Sequence, residues 1–200
     1  MRTNGLILLM AVSACLLGAC SEKDPGTPSA EPDVSTGTAT GTTSSAPSTD
    51  TGAPELSLNA FADKPCDLLK SDEIAQLGTF KAPVKSSNEA TTQCRWAAQD
   101  VTKGVAYTVA VTTNGVAFET AAQQAKSNNP YFETTEVSEY PAFNTDGTDA
   151  KGSCSTGVGT PSKGVFLVQI NMENKALPEY NAPCAATEKA AALVVKNLKG

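Results

Sequence analysis

Apolar residues fall into three regimes along this 200-residue chain. Residues 6–17 form a nearly unbroken apolar run. Across residues 21–54 Val34 is the only larger aliphatic side chain. From residue 58 onward, short periodic segments alternate with turn residues. The periodicity there predicts the elements. Residues 71–78, SDEIAQLG, read as a short helix with Ser71 as N-cap, Asp72 and Glu73 at the positive end of the dipole, and Gly78 as its stop. Residues 92–98 and 105–113 read as a hairpin closed by the turn from Asp100 to Gly104. In its second strand Val105, Tyr107, Val109 and Val111 oppose a small face of Ala and Thr, a face suited to packing against another layer.

Asn114 is placed to cap a helix over residues 116–127, with Phe118, Ala121, Ala122 and Ala125 as its buried stripe and Asn128-Asn129-Pro130 as its end. Weaker strand patterns follow at 132–137 and 141–144. A second hairpin spans 154–159 and 165–172, where Phe166, Val168, Ile170 and Met172 share a face and Gln169 and Asn171 point the other way. A terminal helix begins near Pro183, with Cys184, Ala191, Val194, Val195 and Leu198 on one side. The order of elements predicts a single α+β domain, an antiparallel sheet packed against about three helices.

The first regime changes how the chain is divided. Arg2, the apolar run and Leu17-Gly18-Ala19-Cys20 read as a lipoprotein signal peptide ending in a lipobox. The run is too short to span a bilayer as a helix. Residues 1–19 are then expected to be removed, leaving Cys20 as an acylated N-terminus. Diacylglycerol and palmitate-type chains would anchor it without a transmembrane helix. Residues 20–57 are expected to be a disordered tether: Thr, Ser, Pro, Gly and Ala fill 27 of the 34 positions from 21 to 54, and such a segment buries too little to offset its ordering entropy. An inert spacer is the simpler account of it, and an O-glycosylated stalk the other. Residues 58–200 are the expected folded domain.

Charge and cysteine count narrow the function. The whole chain carries a net −6. Residues 21–54 hold −4 of it, and residues 58–200, with 15 acidic and 13 basic side chains, are close to neutral. No basic stripe is present, which argues against nucleic acid and against electrostatic docking on anionic lipid. Cys66, Cys94, Cys154 and Cys184 remain in the domain, an even count that reads as two disulfides in an exported protein. Three connectivities are open. The two local ones, Cys66–Cys94 and Cys154–Cys184, are favoured, each closing a loop of about 30 residues. A metal site fits poorly, because no CxxC spacing and no histidine occur. No cofactor is implied.

These features together resemble a known family. The lipobox, the tether, Pro65-Cys66-Asp67-Leu68-Leu69 with the SDEIAQLG helix, Cys94-Arg95-Trp96 as a Cys-x-Trp signature, and Cys184 opening an Ala-rich helix are similar to small actinobacterial lipoproteins. They are catalogued as domain of unknown function 3558. The likeness covers roughly residues 60–199. It implies an envelope location and paired cysteines, and it implies no activity.

Candidate chemistry is sparse. Without histidine there is no Ser-His-Asp or Cys-His arrangement. Asp72/Glu73 is a possible carboxylate pair that helix capping explains better, and Asp146/Asp149 one that a solvated Gly-rich loop explains better. Ser162 beside Lys163 is explained by a turn. Arg95 and Trp96 would suit a carbohydrate or an anionic headgroup, but adjacent strand residues face opposite sides, so Trp96 reads as core. The expectation is a membrane-anchored envelope lipoprotein, a non-enzymatic binding or interaction module. Its partner would be an envelope protein, a glycan or a lipid. The alternatives are an envelope hydrolase or transferase without a histidine-based site, and a structural wall-spacing protein.

Overall fold

The structure, a computed structural model, describes residues 53–112, 114–161 and 164–199. The expected signal peptide, Cys20 and most of the expected tether lie outside the described residues, as do Ser162 and Lys163. Alternation of apolar and polar residues builds seven strands: β1 (Val84–Ser87), β2 (Thr91–Trp96), β3 (Ala106–Thr112), β4 (Tyr131–Val137), β5 (Tyr140–Asp146), β6 (Ser153–Thr160) and β7 (Gly164–Asn171). They form one sheet in the order β1-β2-β3-β7-β6-β5-β4, antiparallel throughout. Two meanders therefore meet where β7 returns to lie beside β3. The helices are α1 (Ser71–Ile74), α2 (Phe118–Asn128) and α3 (Pro183–Lys199), with 3-10 turns at Leu58–Phe61, Pro65–Leu68 and Pro178–Asn181. The α+β class, the single compact domain and both disulfides agree with the sequence.

The two faces of the sheet differ. On the inner face the register aligns Tyr107 with Ile170, Val109 with Val168 and Val111 with Phe166, and all six are buried. Ala190, Ala191, Val194 and Val195 of α3 join this cluster. Burying a side chain of this size is worth roughly 1.5–3 kcal/mol, so this seam carries most of the stability. Both disulfides lie on it: Cys66–Cys94 ties the turn at Pro65–Leu68 to β2, and Cys154–Cys184 ties β6 to the first turn of α3. Beneath the first turns of α3 buried polar groups form a hydrogen-bonded chain. Thr156 bridges Asn144 at 2.7 Å and Thr187 at 2.6 Å, and Asn144 donates to Glu188 at 2.6 Å.

The outer face is only partly covered. Phe118 of α2 lies over Gly159 and beside Phe143, ring centroids 5.8 Å apart. A Cβ at Gly159 would come within 2.7 Å of the Phe118 ring, so the missing side chain is what lets α2 approach. The stripe expected to be buried is not: no α2 residue is fully buried, and Phe118, Ala121, Ala122 and Ala125 are half-covered. Three alanines give the helix little to insert.

Other expectations shift in detail. The α1 N-cap is Lys70 rather than Ser71, because the Glu73 carboxylate reaches back to the Lys70 N–H at 3.2 Å. The α2 N-cap is Ala117 rather than Asn114. The packed structure also begins earlier than residue 58. Leu56 is wholly buried and Tyr140 donates its hydroxyl to the Pro54 carbonyl at 2.6 Å, so the last residues assigned to the tether belong to the core.

Candidate functional site

Register builds the site. On the outer face Arg95 pairs with Thr108, Thr108 with Gln169, Gln169 with Ser155, and Ser155 with Thr145. Five polar side chains on five neighbouring strands thus form one row across the sheet, at about 4.8 Å per strand. Gln169 donates to Ser155 at 3.1 Å. Half-buried Leu167 and buried Ala110, from the next row, give the floor an apolar edge.

A cavity of about 330 Å³ opens over this row, with Asp146, Ser153 and Asn171 on its side. It shares Gln169, Ser155 and Asp146 with a cleft of about 440 Å³ walled by Ala121, Ala125 and Asn128 of α2. In the other direction it shares Arg95, Ala106 and Asn171 with a cavity of about 730 Å³ that reaches Val101 and Glu173. These shared residues make one trough along the uncovered part of the outer face. Lightly seated α2 forms its wall.

Its charges are unevenly engaged. Arg95 is exposed and, among the described residues, has no ion pair or hydrogen bond. Asp146 is buried and committed: Ser153 donates to one carboxylate oxygen, and the Thr148 amide at 2.8 Å, the Thr148 hydroxyl and the Ala150 amide donate to the other. Burial raises its pKa, but these donors outweigh burial and hold it below the ordinary carboxylate value. Asp149, its expected partner, instead faces Lys151 at 3.6 Å in solvent. Ser153 and Asp146 are therefore the hydroxyl–carboxylate contact in the trough, and their geometry organises the β5–β6 loop.

The Asp72/Glu73 pair is elsewhere. Glu73 is buried against α3, where Asn197 donates to one oxygen and Lys196 reaches the other at 3.2 Å. Burial raises its pKa, and the hydrogen bonds from Asn197, the Lys70 amide and Lys196, with the Lys196 charge, bring it below the ordinary value. This is a clasp between α1 and α3, as capping had suggested in part. Trp96 is 2% exposed on the inner face while Arg95 stands on the outer one, so the two adjacent residues serve opposite sides of the sheet. Cys66, Cys94, Cys154 and Cys184 are paired as favoured, with Cα–Cα distances of 5.0 and 5.2 Å.

Reading motifs along the chain did not bring Thr108 to Ser155 and Gln169, since β3 lies far in sequence from the hairpin of β6 and β7 that carries the other two. The outward polar positions of two recognisable strands, Thr108 and Gln169, were the signal available. Among the described residues no three His, Cys, Asp or Glu side chains gather to hold a metal ion, and no helix is long and apolar enough to cross a membrane.

No curated protein and no solved structure matches the chain. A family model, protein of unknown function (DUF3558), matches residues 15–197. With nearly its whole length within that match, the chain belongs to the DUF3558 family.

Proposed function

We propose that this protein is a cell-envelope lipoprotein, anchored to the extracytoplasmic face of the membrane through acylated Cys20, whose tethered domain is a non-enzymatic binding module. The observation that carries the binding role is the outer-face trough, where a row of neutral polar side chains leads to an Arg95 side chain that has no partner among the described residues. A concave site with a few convergent polar groups is the usual form of a ligand site. The lipobox and the small-residue segment after it support the anchor.

Two measurements test this. The intact mass of the chain extracted from membranes should begin at Cys20 and include a diacylglycerol. An unmodified N-terminus, or one at another residue, overturns the anchor. Native mass spectrometry of the same material should show an adduct that Ser155→Trp, which fills the trough, removes. Retention of the adduct by that variant moves the site elsewhere, and a bare wild-type chain overturns a retained ligand.

A hydrolase or transferase is the second reading, favoured only by the Ser153–Asp146 contact. A carboxylate with four donors and a lowered pKa is a weak general base.

A further inference from the structure

The chemistry along the trough is graded. Its centre holds Thr108, Gln169 and Ser155, neutral groups that donate and accept. One end holds Arg95, whose planar guanidinium has five donors and no acceptor among the described residues. The other end holds the Asp146 carboxylate. Beyond Arg95, past Asn171, stands exposed Glu173. Acidic groups thus lie on both sides of the guanidinium, and a ligand with several negative charges would meet one of them. A ligand with one anionic group and an uncharged polar body would not.

The row also has a repeat. Arg95 to Thr145 covers four strand spacings, about 19 Å; Arg95, Thr108, Gln169 and Ser155 present their side chains along it, and Thr145 closes it, buried with its hydroxyl donated to the Tyr131 carbonyl. One pyranose of an extended oligosaccharide is about as long as a strand spacing, so each of the four side chains from Arg95 to Ser155 faces one sugar. Hydroxyls and carboxamides match sugar hydroxyls in both hydrogen-bonding senses, and Leu167 beside Gln169 offers an apolar contact for a ring's C–H face. An acyl chain laid along the same row would desolvate several polar groups without pairing them, at a cost of about 1–3 kcal/mol each.

Building on the binding role given above, we infer that the trough binds an oligosaccharide of about four sugars that carries a single carboxylate at one end. The carboxylate pairs with Arg95, and the neutral sugars run over Thr108, Gln169 and Ser155 toward Thr145. Arg95 sets the polarity of the bound chain, and Glu173 and Asp146 exclude polyanions.

The test is an NMR titration of the full-length, isotope-labelled chain with defined probes. These are a xylotriose bearing one glucuronate, a tetrasaccharide ending in N-acetylmuramic acid, the methyl ester of each, and neutral xylotetraose. At least one acid should shift the amides of Thr108, Ser155 and Gln169. Its methyl ester and Arg95→Gln should each weaken binding about 10- to 100-fold, the usual range for losing a charge-assisted pair. Gln169→Glu should weaken it as well, with unchanged thermal unfolding showing that these exposed variants fold. Binding of neither acid, equal binding of acid and ester, or indifference to Arg95→Gln overturns the inference. If both acids fail while lauric acid or an envelope-derived peptide shifts the same amides, the glycan class is wrong and the trough remains a binding site. If the native-mass adduct is absent as well, both readings fall.

Discussion

At the Glu73 side chain, which is 2% exposed, three donors converge from α3 and from the start of α1. Removing it takes one acceptor from buried Asn197, whose Nδ2 keeps the Leu68 carbonyl at 3.0 Å, while the largely exposed Lys196 returns to water. Glu73→Ala should therefore lower unfolding stability by about 1–3 kcal/mol in a denaturant titration, from the lost hydrogen bonds to Asn197 and the Lys70 amide. Trp96 makes a different case. It is buried among Cys94, Tyr107 and the Pro65–Leu68 turn, so Trp96→Ala should cost about 3–5 kcal/mol. An unchanged melting temperature would contradict its place in the core. The opposite orientations of Arg95 and Trp96 were legible from strand geometry alone. The clasp at Glu73 was not, because Asn197 lies 124 residues away and nothing in the local pattern links them.

Among the elements, β3 and β7 could be read directly, since both faces of each are distinct and one is fully apolar. β1 gave no signal. All four of its residues are exposed, so neither face carries an apolar alternation, and it is held by pairing with β2. The α2 boundary moved because Phe118, rather than a polar cap, fixes where the helix touches the sheet. The β4–β5 turn also departs from local preference. Ser138 and Glu139 have φ of 51° and 75° without being glycine, a pairing the hairpin's two-residue turn imposes. Each disulfide pins a helical piece to a strand across 28 or 30 residues. Replacing either pair with serine should lower stability by about 3–4 kcal/mol, checked by denaturation of each double variant without reductant.

The whole molecule should be acid-sensitive. Glu73 and Asp146 both sit below their ordinary values of 4.5 and 3.8. Their folded forms therefore favour ionisation more than the unfolded chain does, and folding gains stability where they are ionised. That contribution is complete above about pH 5–6 and fades as pH falls through the lowered values. Thermal melts from pH 7 to pH 3 should show a falling midpoint, with a smaller fall in Glu73→Gln. The fold class and the disulfides were readable because they depend on periodicity and count. The trough depends on register between strands distant in sequence, and that becomes visible only once the sheet is assembled.

The place where the packed structure begins has a mechanical meaning. A pull from the N-terminal side loads the Tyr140–Pro54 hydrogen bond and the seat of Leu56 first. Once these yield, the chain can peel only as far as Cys66, about 13 residues and roughly 45 Å of extended backbone. There the covalent link to β2 takes the tension and passes it into the sheet one strand in from its β1 edge. The first disulfide therefore works as a stop, so that a pull from the N-terminal side frays a short leader before it reaches the sheet.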